Sequence, residues 1–187
     1  MTTLSQSGLL PEGAEVLSKE IHGAMIGGEE VLASDGGTFE THDPGSGEKL
    51  ATVANLTADD VNRAVASAQK AFDESDWAKM PVNERCVFLH RLADAVEECK
   101  AIIAQIESLD CGKVYEQAEA DVDNFIETHR YFANLAQNLD LRTVIAVSGH
   151  EAAVVRHPWG PCGFIVPWNF PFLLCGWGIG PATAAGN

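Results

Sequence analysis

From Gly160 to Asn187 the chain carries no Asp, Glu, Lys, Arg or His, although charged residues make up 21% of the whole. A run this apolar has to find cover, in lipid or in a protein interior. Pro161, Pro167, Pro171 and Pro181 break it up, and it has neither a basic flank nor a long unbroken apolar core, which argues against a membrane span. Cys162–Val166, bounded by Gly160-Pro161 and Pro167, suits a strand buried on both faces. Pro167 and Pro171 cannot donate to a ladder, so the strand should stop at Pro167-Trp168-Asn169-Phe170-Pro171. Pro171 then opens a Leu- and Ala-containing helix from its first position. The expected order is strand, tight loop, helix, with the amide of Asn169 at the strand's carboxyl end, where ligands sit in open α/β sheets.

At 187 residues the chain can bury one real core, or one and a fraction, and 46% hydrophobic residues place it among globular proteins. A formal charge of -15 argues against nucleic acid or an anionic membrane surface as partner. Cys86, Cys99, Cys111, Cys162 and Cys175 are odd in number and form no C-x-x-C pair, which fits a reducing compartment better than a disulfide framework or zinc site. The first residues show no basic segment followed by a long apolar one, so the cytoplasm is the expected location.

Residues 1–20 read as a flexible arm. Between Ile21 and Ala54, Gly27-Gly28, Asp35-Gly36-Gly37 and Asp43-Pro44-Gly45-Ser46-Gly47 punctuate short strands. His42 beside Asp43 is read as part of a surface turn. Thr57 and Asp60 form a capping-box pattern, with Val61, Val65, Ala68 and Phe72 on one inward face. A second helix should carry Leu89, Leu92, Val96, Cys99, Ile103, Ile106 and Leu109 inward, ending where Gly112 takes a left-handed cap. Its stripe makes Cys99 a buried, inert thiol. A third, from about Tyr115 to Leu139, should bury Ala118, Val122, Phe125, Phe132 and Ala136. Leu141–Val147 and Glu151–His157 then form a hairpin around Ser148-Gly149-His150.

Gly176-Trp177-Gly178-Ile179-Gly180 is not a dinucleotide fingerprint: it lacks the G-x-G-x-x-G spacing and lies inside the helix. Close packing, or weakening of the helix, accounts for these glycines. Asn169 offers a donor that does not titrate, suited to an oxyanion, but an Asx-turn or a helix cap would use the same residue.

The wording of several segments carries more. "IVPWNFPF" followed by "GPATAAGN" resembles the first strand–loop–helix of the coenzyme domain in the aldehyde dehydrogenase superfamily. "FETHDPGSGEKLATVA", "DDVNRAVASAQKAFDESDWAKM" and "RLADAVEECKAIIAQIESLDCGKV" resemble its opening strands and first two long helices. The resemblance implies an α/β fold in which N-terminal helices and β-hairpins (21–140) and an oligomerisation hairpin (141–157) lead into a Rossmann-like parallel sheet, truncated after its first strand–loop–helix (158–187). It implies NAD- or NADP-dependent oxidation of an aldehyde to a carboxylic acid. In that chemistry a cysteine thiolate attacks the carbonyl, hydride passes to the nicotinamide, and water hydrolyses the thioester. Asn169 would stabilise the oxyanion, while Ile165, Val166, Pro167, Trp168 and Asn169 match positions lining the cofactor groove. Some members hold a structural Na+ or K+ between the residue matched by Asp110 and main-chain carbonyls, here around His42. The hairpin implies a homo-oligomer.

Two departures stand out. None of the five cysteines occupies the family nucleophile's motif, and the motifs for nucleophile and general base would lie beyond Asn187. An N-terminal portion of such an enzyme, inactive as this chain, is therefore the leading expectation. The other departure is Gly178, where betaine-aldehyde-type members carry a lysine assigned to a proton relay. A non-catalytic fragment that pairs with intact subunits, and an unrelated nucleotide-binding domain, remain as alternatives.

Overall fold

The computed structural model describes residues 8–187, the side chain of Ala78 excepted. In chain order it contains α1 (Pro11–Leu17), β1 (Ala24–Ile26), β2 (Glu29–Val31), β3 (Thr38–His42), β4 (Lys49–Ala54), α2 (Ala58–Glu74), α3 (Val82–Glu98), α4 (Lys100–Cys111), α5 (Tyr115–Gln137), β5 (Arg142–Val147), β6 (His150–Val155) and α6 (Pro171–Ala184). The arm expected over residues 1–20 falls partly outside the described residues. Its described part is not loose: Pro11 starts a helix, Gly13 is buried, and the Leu10 N–H donates to Gln105 Oε1 at 2.8 Å.

The strands pair as three antiparallel hairpins, β1–β2, β3–β4 and β5–β6. The β3–β4 turn is the D-P-G-S-G segment, closed by Asp43, whose carboxylate accepts from the Gly45 N–H and the Ser46 hydroxyl, both at 2.8 Å. Those bonds, the Ser46 hydroxyl first, hold its pKa below the ordinary range. At α2 the capping box forms as expected, with Thr57 Oγ1 accepting from the Asp60 N–H and the Asp60 carboxylate accepting from the Thr57 N–H at 3.0 Å.

The core lies between helices. α5, the longest helix described, buries Ala118, Val122, Phe125, Ile126, Ala133 and Ala136 against α3, α4 and α6. The stacked rings of Phe125 and Phe172, 4.4 Å apart, join α5 to α6. A Cβ on Gly176 would lie 2.5 Å from Phe125 Cδ2, so this glycine permits the approach of the two helices. Gly180 faces Thr128 of α5 as well, so these two glycines of the run serve close packing, of helix on helix.

Three expectations need correction. The second helix is not continuous: it breaks at Cys99 (φ -98, ψ 7) into α3 and α4, leaving Cys99 exposed. The stripe bridges two helices that share a core, with Leu89, Val96 and Leu109 buried and Leu92 exposed. On α2, Val61 and Val65 are each 53% exposed: the helix is held at its start, where Asp60 accepts from Ser34, and towards its end, where Phe72 meets Gly160, and neither contact covers the two valines. Most informative is Cys162–Val166, which belongs to no strand and pairs with none, with Ile165 fully exposed. Its backbone donors need a neighbouring strand, and among the described residues no strand lies beside it, so the parallel sheet is not formed here.

Candidate active-site segment

Asn169 sits where the extended segment turns into α6. Pro171 is the first residue of that helix and Phe170 its N-cap, at φ -139 and ψ 57 with no side-chain cap. The Asn169 side chain is therefore neither helix cap nor Asx-turn, and it is exposed. Ahead of it Ile165, Val166, Pro167 and Trp168 present an exposed apolar edge, with Trp168 83% accessible. Such an edge suits the flat, partly apolar surface of a dinucleotide.

The loop rests on the end of α4 and the residues after it. Cys111 Sγ donates to the Trp168 carbonyl at 3.3 Å. The Lys113 ammonium lies 4.5 Å from the Phe170 ring centroid. It is itself held by Glu107 Oε1 at 2.5 Å and Asp121 Oδ2 at 2.8 Å, in a cluster where both carboxylates are almost fully buried. Burial opposes the charge on Lys113, but its hydrogen bonds to Asp121 and Glu107 win and raise its pKa. Burial likewise raises the pKa of Glu107, against the pull of Lys113. In the segment E-S-L-D-C-G-K the sequence singles out Asp110; the structure adds Glu107, Cys111 and Lys113. The signal was a Glu and a Lys six apart across a helix end.

Farther along, Asn187 ties the segment's entrance to the end of α6. Its Oδ1 accepts from the N–H groups of Trp159 (2.6 Å) and Gly160 (3.1 Å), and its carbonyl accepts from Trp77 Nε1. At position 178, a Cβ would lie 2.7 Å from Phe164 Cδ1, so the Phe164 ring fills the space of any side chain there.

The thiols are not prepared for attack. Cys86 is buried and donates to the Ala133 carbonyl. Burial pushes Cys111 up to about 11 and raises Cys175 as well, disfavouring the thiolate at both. Cys99 and Cys162 are exposed, away from this loop's support. The His42 ring faces Glu40 at 3.6 Å, while Pro44 of the same turn packs on Gly112, next to Asp110 in the chain. Burial by its surroundings raises the pKa of Asp110. Among the described residues no group of three His, Cys, Asp or Glu could hold a metal, and no helix is long and apolar enough to cross a membrane.

Residues 31–187 match the model of the aldehyde dehydrogenase family. The mitochondrial benzaldehyde dehydrogenase of Antirrhinum majus is 45% identical over 164 residues, 87% of this chain and 31% of that protein. The betaine aldehyde dehydrogenase of Bacillus subtilis is 35% identical over 87% of this chain and 34% of its own length. An NAD+ complex of aldehyde dehydrogenase from Bacillus cereus superposes with a TM-score of 0.91 at 36% identity, covering 95% of this chain and 36% of that one. Betaine aldehyde dehydrogenase from Staphylococcus aureus in complex with NAD+ superposes at 0.85 and 30% identity, covering 94% and 35%. The chain thus spans about a third of the length of the relatives it matches. With segment, fold and sequence in agreement over most of its length, this chain belongs to the aldehyde dehydrogenase family.

Proposed function

We propose that this chain is the part of an NAD(P)-dependent aldehyde dehydrogenase that supplies the oxyanion donor and one wall of the coenzyme groove. The observation that carries the reading is Asn169: an exposed, unengaged amide between two prolines, on a loop braced from below. When a nucleophile adds to an aldehyde, negative charge grows on the carbonyl oxygen. A fixed N–H donor stabilises that charge without reorganising in the transition state. Ile165, Val166, Pro167 and Trp168 bind one face of the coenzyme and exclude water from it. The bound coenzyme supplies the hydride acceptor. NAD is favoured because relatives of closely similar structure were solved with NAD+; NADP is the alternative to be titrated beside it.

No thiol of this chain is placed to act as nucleophile, so the reading assigns nucleophile and general base to residues other than those described here. The exposed β5–β6 hairpin, with Val144 68% and Val155 47% accessible, is assigned to pairing with a second copy. A structural Na+ or K+ between Asp110 and carbonyls near His42 is part of the same reading, supported by the packing of Pro44 on Gly112.

The test is Asn169→Ala in a catalytically competent protein containing these residues. Loss of one such donor lowers hydride transfer about 10²–10³-fold, or roughly 2.7–4 kcal/mol, with coenzyme affinity little changed. Asn169→Asp is expected to be worse, because a carboxylate repels the oxyanion, and Asn169→Ser to retain part of the rate. Single-turnover hydride transfer measured beside a direct coenzyme titration decides the matter. Near-normal transfer with lost coenzyme affinity would make Asn169 a coenzyme-binding or structural residue.

A further inference from the structure

We propose that Lys113 is a positioning residue for Asn169, acting through the ring of Phe170 as one half of a two-point latch whose other half is Cys111. The inference rests on the oxyanion role of Asn169 for its purpose, though not for its geometry.

An ammonium has three N–H donors. At Lys113 two are taken, by Glu107 Oε1 and Asp121 Oδ2, and Asp121 is itself fixed by Gln117 Nε2 at 2.8 Å. The Lys113 carbonyl accepts from Ser108 Oγ at 2.7 Å, so main chain and side chain are both anchored to α4. With its head held on two buried carboxylates, Lys113 presents a stationary cation to the Phe170 ring at 4.5 Å, a contact whose value grows as water is excluded. Cys111 meanwhile binds the Trp168 carbonyl. The residues on either side of Asn169 are thus each tied to the same stretch, Cys111–Lys113, while the amide between them makes no bond to the protein. Fixed neighbours and a free amide are what a donor needs if it is to point at charge arising on another molecule. This explains why the chain keeps a cation among buried carboxylates 56 positions before the loop it supports. Two like carboxylates around one ammonium leave one formal negative charge indoors, and Glu107 Oε2 has no partner of its own. A purely apolar contact under Phe170 would have avoided both costs.

The thiols supply the test. In the latched loop Cys111 is half-buried with its Sγ bonded to the Trp168 carbonyl, whereas Cys99 and Cys162 are exposed and Cys86 is deeply buried. Site-resolved alkylation by iodoacetamide therefore reads the loop at Cys111, surface reactivity at Cys99 and global unfolding at Cys86. Phe170→Leu removes the ring but leaves the ion cluster intact. It is expected to raise the Cys111 rate about tenfold relative to Cys99 with Cys86 still protected, and to lower the backbone order parameter of Asn169 from a rigid value towards that of a flexible loop. Lys113→Met is expected to do the same, and Lys113→Arg to restore protection. Asn169→Ala is expected to leave Cys111 protected, so the latch and the oxyanion role fail separately. An unchanged Cys111 rate and an ordered Asn169 in Phe170→Leu would overturn the proposal. So would a Cys111 rate that rises only together with that of Cys86.

Discussion

Two apolar regions of this molecule meet opposite fates. On α5, Ala118, Val122, Phe125 and Ile126 are at most 5% accessible, whereas Phe164 and Ile165, no less hydrophobic, are 48% and 103% accessible. The difference lies in where each segment finds its hydrogen bonds. A helix satisfies its own backbone and then needs only a neighbour for one face, which α3, α4 and α6 provide. An extended strand needs a neighbour for its backbone before its side chains can be covered. The helical half of the fold is thus self-sufficient, and the strand that leads to Asn169 is complete only in company. Asn169 stands at the junction, its neighbours braced by the first region and its side chain exposed with the second.

The sharpest way to break this contrast is at Gly176, where α6 touches Phe125. Gly176→Val should destabilise by about 2–3 kcal/mol, because the added carbons overlap the ring and the interior cannot give way. Equilibrium denaturation measures it, and a loss below about 0.5 kcal/mol would mean that α6 is not packed as described. His129 gives a second, smaller probe of the same core. Its ring is fully buried, Nδ1 bonds the Phe125 carbonyl at 2.8 Å, and Nε2 has no partner. Burial lowers its pKa, so the unfolded chain takes up the proton first. Stability should therefore be intact above about pH 6.5 and fall as the pH drops from there towards the depressed folded value. One proton accounts for at most about 1.4 kcal/mol per pH unit, and His129→Gln should flatten that slope. A slope unchanged in the variant would assign it to carboxylates elsewhere. The smallest effect belongs to the other region. Ile165→Ser should change stability by no more than about 0.5 kcal/mol, since the side chain touches water already. A loss of 2 kcal/mol would show that this strand is buried after all.

How much of this could be read from the residues follows the same division. Local signals were legible. Thr57 with Asp60 marked the start of α2, Pro171 the start of α6, and Gly112 the left-handed end of α4 at φ 69. The stripe on α5 was correct because a long helix shows its buried face in its period. The break at Cys99 was not visible, since a stripe that passes from one helix to the next keeps its spacing while the chain turns. Burial of Val61, Val65 and Cys162–Val166 was misjudged for a different reason: hydrophobicity states what a residue prefers, and only the neighbours decide whether it is granted. Asn169 is singled out by the wording around it, and the structure shows its side chain exposed. Of the support under it, Glu107 and Lys113 leave a trace in their spacing across the end of α4, whereas the contact of Lys113 with Phe170 leaves none, because it joins distant parts of the chain through side chains alone.

Hydrogen exchange resolved along the backbone tests the contrast most directly. The amides of Val122–Ile126 should exchange slowly, limited by opening of the helical core, while those of Phe164, Ile165 and Val166 exchange close to the rate of an unprotected chain. Asn169 should fall with the unprotected group and Leu174, whose N–H bonds the Phe170 carbonyl at 3.0 Å, with the protected one. Strong protection of Ile165 and Val166, comparable to that of α5, would contradict the account, because it would place the strand in a sheet and Asn169 at the end of a closed structure.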